Sequence, residues 1–258
     1  MTALAANFNR KWYGEGPRNF IEHGVEAGEV LLEGALIEYD ADGYLVEAAG
    51  TFGNIFAGVK VPERDGTLSA DNTGGADGAI NARLATEGVA LWDKTGSFTQ
   101  ADIGIKLKAA DDNTVAKNLA TVDTNLTGAT QNDLTFTAKK ILSGEIGNQI
   151  SVKYVDPGGT SATLGVVVEG LTIVVNLGRA ASAVDSTGAL VKAAIEAHAL
   201  ANAMISVAHK TGNDGTGLVA AMAAINLTGA GPTVGVLEEI VGTKLKVNHS
   251  GFAGRRAA

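Results

Sequence analysis

The stretch Gly212-Asn213-Asp214-Gly215-Thr216-Gly217 has the glycine density of a phosphate cradle. A cradle needs a buried strand before it and a helix whose first amides face the anion, and the Walker form also needs Lys followed by Ser or Thr. No Gly-Lys-Ser/Thr follows here and no acidic ribose partner lies downstream, so the stretch reads as a loop. Asp71, Asn72 and Asp77, and then Asp111, Asp112 and Asn113, offer the oxygen ligands that calcium takes, but neither set has the EF-hand spacing or its closing glutamate. Asx-rich turns account for both. The histidines His23, His198, His209 and His249 are scattered, with no His-Glu-x-x-His for zinc. There is no Gly-x-Ser-x-Gly elbow, and the absence of cysteine removes thiol nucleophiles, disulfides and thiolate metal sites. The expectation is a protein that is not an enzyme, with no catalytic residue, no cofactor and no metal.

The elements that would carry any other function are written in glycine and short apolar runs. Glycine takes 34 of 258 positions against 4 prolines, with no Gly-X-Y period, and turn-dense β structure is the natural home for that much positive φ. A hydrophobic share of 45% with 19% charged residues describes a globular chain long enough for two cores. No run of about 20 apolar residues is present and the amino terminus lacks a charged-then-apolar order, so the expectation is a soluble chain made in a cytoplasm, without membrane contact. The net charge of −8 is uneven: residues 127–230 hold 6 Lys/Arg and 7 Asp/Glu, whereas the remainder holds 14 and 21. Residues 20–59 contain no Lys or Arg but carry Glu22, Glu26, Glu29, Glu33, Glu38, Asp40, Asp42 and Glu47. A surface of that sign repels phosphate backbones, which argues against nucleic acid as a partner.

From residue 20 to residue 126 the chain alternates short strands and turns, with Asp40-Ala41-Asp42-Gly43 between two apolar runs as a hairpin signal. Strands at this spacing, with almost no helical period, predict a small barrel or sandwich. Residues 127–230 use a different grammar. Alternating runs at 134–138 and 150–155 precede a hairpin at 164–175 around Glu169-Gly170, and a helix with Asp185 or Ser186 as its cap follows, with Val191 and Ile195 on its apolar face. That pattern predicts a two-layer α+β module. After residue 231 short strands resume, and Lys244-Leu245-Lys246-Val247 echoes Ile105-Lys106-Leu107-Lys108. The tetrapeptide Leu126-Thr127-Gly128-Ala129 returns as Leu227-Thr228-Gly229-Ala230, and the two copies read as the edges of an insertion. The expected organisation is an extended amino-terminal arm over residues 1–19, a discontinuous β domain of residues 20–126 plus 231–258, and an inserted α+β domain at 127–230.

Residues 1–20 hold Phe8, Trp12, Tyr13 and Phe20, four of 13 aromatics, with Arg10, Lys11 and Arg18 among them. A disordered tail rarely carries so many aromatics. These seven residues are the candidate partner-binding set, on an arm that docks on a neighbour; the alternative is packing back on its own domain. An arm of the first kind can be removed with little effect on intrinsic stability.

Several of these segments resemble the capsid decoration, or cement, proteins of tailed bacteriophages: residues 24–36 entered through Val25-Glu26-Ala27-Gly28-Glu29-Val30, the loop Asn72-Thr73-Gly74-Gly75-Ala76, Ala101-Asp102-Ile103-Gly104, Asp111-Asp112-Asn113-Thr114-Val115 and the closing Val234-Gly235-Val236-Leu237. The likeness covers residues 20–126 and 231–256. The insert is similar to a module of other phage structural proteins around residues 150–154 and 186–195, a likeness shared with tail proteins. The resemblance implies a mainly β fold, a small β-barrel or β-tulip-like domain, assembling as a homotrimer on the outer surface of the expanded head at three-fold and quasi-three-fold sites. Its partner would be the major capsid protein, and its location the virion, after synthesis in the host bacterial cytoplasm. The insert would project outward, with host-surface or glycan contact left open. A tail-tube or sheath component, or a surface adhesion module, stands as the alternative.

Overall fold

The structure is a computed structural model and describes residues 4–51, 53–126 and 131–253. It is mainly β and divides into two units, residues 1–118 with 231–258 and residues 119–230. The first copy of the repeated tetrapeptide falls largely on residues 127–130, outside the described residues. The edge of the second unit lies at 118/119, earlier than the repeat suggests, because Thr121 pairs with Thr228 and residues 121–123 pair within that unit. The far edge lies at 230/231, where the second copy ends.

The first unit opens with β1 (Trp12–Gly24), β2 (Val30–Leu31), β3 (Leu36–Tyr39), β4 (Leu45–Glu47), β5 (Ile55–Lys60), β6 (Ala70–Asp71), the long β7 (Asn81–Lys94), β8 (Lys106–Ala109) and β9 (Thr114–Lys117). The predicted Asp40 turn joins β3 to β4: its Oδ1 accepts from the Gly43 and Tyr44 amides at 2.6 and 2.7 Å. The second unit holds β10 (Thr121–Asp123), β11 (Leu134–Ala138), β12 (Ser151–Val155), β13 (Gly165–Glu169), β14 (Thr172–Asn176), β15 (Arg179–Ala180), β16 (Ala183–Val184), α1 (Gly188–Ala197), α2 (Ala199–Met204), β17 (Ile205–His209) and β18 (Met222–Asn226). Then β19 (Gly235–Val241) and β20 (Lys244–Asn248) return to the first.

Those two returning strands close a five-stranded barrel. β7 pairs with β9, β9 with β8, β8 with β19, β19 with β20, and β20 back with β7. The echo between residues 105–108 and 244–247 becomes two strands flanking β19. In period-2 alternation, Ala90 and Trp92 of β7 stand opposite Val247 and Leu245 of β20, and all four are buried on one face. A second cluster, with Val25, Ile37, Tyr39, Leu45 and Leu84 at its centre, packs under the part of the sheet formed by β3, β4 and β5.

Strands of the second unit fall into one three-stranded, one four-stranded and one two-stranded sheet. A single apolar cluster joins Phe136, Val152, Tyr154, Ile173 and Val175 to Val191 and Ile195 of α1 and Ala201 of α2. The expected hairpin is β13–β14, in register from Gly165↔Asn176 to Glu169↔Thr172. The cap falls one residue beyond Ser186, the later of the two expected caps: Thr187 caps α1 by accepting from the Leu190 amide, while Ser186 Oγ accepts from the Gly178 amide at 2.8 Å. The run expected as one helix breaks at His198 into α1 and α2. Among the described residues no helix is long and apolar enough to cross a membrane.

Candidate functional site: the amino-terminal ribbon and its cleft

Residues 4–24 lie along the first unit and belong to it, so the extended arm expected at 1–19 is not seen in its described part. The Leu4 amide donates to Asp112 Oδ1 at 3.0 Å, the Phe8 amide to the Glu33 carbonyl at 2.9 Å, and the Leu91 amide to the Lys11 carbonyl at 3.2 Å. From Trp12 onward the chain is β1, antiparallel to β7 from Trp12↔Ala90 to Gly24↔Asn81. Between Tyr13↔Val89 and Arg18↔Glu87 the register shifts through a bulge that contains Gly14, Gly16 and Pro17. Gly14 and Gly16 have φ of 68° and 82° there, values glycine reaches without strain. Opposite the bulge, Gly88 lets the Trp12 ring cross: a Cβ at Gly88 would stand 2.5 Å from Trp12 Cζ3. Among the described residues β1 pairs only with β7, which leaves its other edge as an unpaired strand edge.

Arg10 fixes the segment that precedes the ribbon. Its guanidinium lies 3.7 Å from the centroid of the Trp92 ring and 5.0 Å from that of Phe8. Nε donates to the Gly34 carbonyl at 2.7 Å and Nη2 to Asn113 Oδ1 at 2.6 Å. Burial pulls its pKa down to about 10 against the opposing pull of Asp93, Asp112 and Asp111, so it stays charged at neutral pH. Trp92 Nε1 donates to His249 Nε2 at 2.7 Å. Because an indole N–H can only donate, His249 is neutral with its proton on Nδ1, which donates to the Val234 carbonyl at 2.6 Å. Full burial brings the His249 pKa down to about 4, with the Val234 contact working the other way and the Arg10 charge adding to the fall. Asp112 is pushed up by burial, and Glu38 is too, although Asn54 and the Gly50 amide hydrogen-bond it.

The seven candidate residues do not form one cluster. Arg10, Trp12 and Phe20 line a cleft of about 340 Å³ with Pro62 and Arg83. Tyr13 and Arg18 line a second cleft of about 220 Å³ with Glu87, Gly88 and Ser250. Phe8 is 43% exposed, and Lys11 sits with its ammonium 5.3 Å from the Tyr13 ring centroid. Phe20 is 45% exposed on one side, with the Arg83 guanidinium 4.0 Å from its ring centroid.

Two cleft residues, Lys60 and Arg83, were not legible in the sequence, where single cations on strands give no local signal. Lys60 is fully buried; its ammonium meets Glu63 at 2.8 Å and donates to the Val61 and Leu68 carbonyls at 2.6 and 3.3 Å. Asn72, considered above as a calcium ligand, is a structural knot: its amide donates to the carbonyls of Val25, Glu26 and Ala76 at 2.9 to 3.0 Å. No group of three or more His, Asp or Glu able to hold a metal occurs among the described residues. Arg10, Trp12, Phe20, Pro62 and Arg83 thus share one cleft beside β1, with aromatic and proline surfaces next to charged side chains. Comparison with protein-family models, with curated proteins and with solved structures returned no match.

Proposed function

We propose that this chain is a structural protein of a phage virion, a capsid decoration protein whose first unit attaches to the head and whose second unit is carried by it. The observation that supports this reading is the pairing, in space, of the segments that resemble the cement proteins. The loop at Asn72 bonds to residues 24–36 through Gly28 N to Asn72 O and Asn72 N to Glu29 O, at 2.9 and 2.8 Å. The turn at Asp111 meets the same segment through Leu36 N to Asp112 O at 2.7 Å. Residues 101–104 meet 234–237 through Gly104 N to Leu237 O at 2.8 Å. Segments scattered over more than two hundred positions therefore build one framework, and all of them lie in the first unit.

In the same reading the second unit is a two-layer α+β module that attachment does not require, and the protein acts by mass action. A ligand that binds only the expanded lattice shifts the shell toward it. The open edge of β1 suits addition of a strand from the lattice.

The test is sedimentation of the purified chain with expanded heads and with procapsids of the phage that encodes it. Binding to expanded heads alone is the expected result, and a chain lacking residues 119–230, with Asn118 joined to Gly231 by a short linker, should bind in the same way. Equal binding to both shells, or assembly of the chain into rings or tubes under the electron microscope, would overturn the proposal.

A further inference from the structure

The amino-terminal segment changes character at Arg10. Residues 5–9 form neither helix nor strand and are all exposed, whereas Arg10 is buried. From Lys11 onward the backbone is tied into the sheet, first by the Leu91 amide on the Lys11 carbonyl and then by the β1–β7 ladder. Ahead of Arg10 the ties are few. Among the described residues, the hydrogen bonds there are the Leu4 amide to Asp112 Oδ1 at 3.0 Å, the Glu33 amide to Asn7 Oδ1 at 2.8 Å and the Phe8 amide to the Glu33 carbonyl at 2.9 Å. Leu4 is half-buried against the apolar cluster that holds Ile37 and Leu45. The exposed Phe8 ring has the Arg10 guanidinium 5.0 Å and the Lys244 ammonium 5.9 Å from its centroid.

Ordering six residues costs backbone entropy, and three hydrogen bonds with one half-buried leucine offset that cost only narrowly. Such a segment sits at the low end of local stability, where opening does not require the domain to unfold. Arg10 limits the opening, because its guanidinium is held by the Gly34 carbonyl, by Asn113 and by the face of Trp92. The segment also covers something. It takes both backbone groups of Glu33, the amide through Asn7 and the carbonyl through Phe8, and Glu33 stands in the wall of the larger cleft. A Cβ on the neighbouring Gly34 would stand 2.1 Å from the Phe8 carbonyl oxygen, so the segment lies directly on this backbone. We propose that residues 4–9 are a strap that opens as one unit on a folded domain, with Arg10 as its hinge and Leu4 as its bolt, and that the closed strap keeps the Glu33 backbone out of reach. Open, its six residues reach about 20 Å from the hinge. One segment then serves both as an arm and as a cover packed back on its own domain. The proposal concerns the free chain and does not rest on the capsid reading.

Hydrogen exchange of the full chain, followed amide by amide by NMR at rising sub-denaturing concentrations of guanidinium chloride, reads the opening. The Leu4, Phe8 and Glu33 amides should share one protection factor, about a hundredfold or more below that of the Leu91 amide, with little dependence on denaturant. Leu4→Ala should speed exchange at Phe8 and Glu33 about fivefold while the Leu91 amide and the melting temperature stay unchanged. Removal of residues 2–8 should let the Glu33 amide exchange as an exposed one, again without a shift in melting. Protection at Phe8 and Glu33 equal to that at Leu91, with the same denaturant slope, would mean that the strap opens only with the domain and would overturn the proposal. A Leu4→Ala effect that does not reach Phe8 and Glu33, or melting lowered by several degrees in either variant, would overturn it as well.

Discussion

The two units of this chain bury different kinds of groups. Among the described residues, the buried charged or imidazole side chains, Arg10, Glu38, Lys60, Asp112 and His249, are all in the first unit. The second unit buries Thr124, Asn132, Ser143, Ser151 and Ser186, which are uncharged, around one apolar cluster. Its buried Tyr154 is pushed further above the ordinary phenol value by burial, so it stays neutral in any ordinary buffer. The first unit therefore depends on a network in which termini and loops must be in place together: Arg10 from the amino-terminal segment and His249 from the carboxy-terminal one meet on opposite sides of Trp92 in sequence. The second depends on packing, which tolerates its being placed between two strands of another domain. Networks with buried charge are sensitive to pH and to the loss of one member, and apolar cores are sensitive to volume.

If the contrast is real, thermal unfolding should resolve into two transitions that respond to different substitutions. Trp92→Ala removes a fully buried ring on which both Arg10 and His249 depend, and should cost the first unit about 4 kcal/mol or more. Phe136→Ala, equally buried in the second cluster, should cost that unit about 3–4 kcal/mol. Scanning calorimetry of both variants checks this. One shared transition that moves with either substitution would mean that the units unfold together, and the contrast would then be one of composition alone.

A pH series sharpens the comparison. His249 has its folded pKa depressed to about 4, below its ordinary value of 6.5. The unfolded chain binds the proton first as pH falls, so the stability that neutral His249 contributes is complete above 6.5 and is lost as pH drops toward 4. At about 1.4 kcal/mol per pH unit over that window, the loss is roughly 3 kcal/mol. Glu47 runs in the opposite direction. Burial first, then Asp112 and Glu29, raise it to about 7 from 4.5, so its contribution is present below 4.5 and disappears as pH rises through 7. The two slopes oppose each other in wild type. His249→Gln should leave a first transition that weakens from pH 4.5 to 7, and Glu47→Gln one that weakens from 6.5 to 4. Denaturant midpoints across that range measure both, and a flat profile in each variant would remove the network from the account.

The elements with local signals were legible from sequence. Asp40 and Gly43 marked the β3–β4 hairpin, Glu169-Gly170 marked β13–β14, and the return of short strands after residue 231 anticipated the strands that close the barrel. The ribbon β1 was not legible. Gly14, Gly16 and Pro17 break its alternation, and what makes it a strand is β7, whose paired residues lie 57 to 78 positions away. The helix start was missed because Ser186, a good cap by type, is held by the Gly178 amide, which leaves the cap to Thr187. At the candidate site, aromatic content pointed to Trp12 and Phe20. It also suggested exposure for Arg10, which is buried because Trp92, Gly34 and Asn113 converge on it from distant parts of the chain.

The smallest predicted effect tests the junction between the two grammars most directly. Two asparagines each hold one residue of the chain by both of its backbone groups. Asn118 accepts from the Gly231 amide at 2.9 Å and donates to its carbonyl at 2.8 Å. Asn148 accepts from the Ala230 amide at 3.1 Å and donates to its carbonyl at 2.8 Å. The first contact lies wholly within the first unit and the second wholly within the second, on consecutive residues, both buried. Alanine in place of either asparagine leaves a buried N–H and C=O without their partner, at a cost of about 1–2 kcal/mol. Asn118→Ala should therefore lower only the first transition and Asn148→Ala only the second, each by roughly 3–10 °C for units of this size. If Asn148→Ala lowered the first transition, the chain would transmit disorder across the 230/231 bond, and the second unit would no longer qualify as cargo that the first can carry or lose without cost.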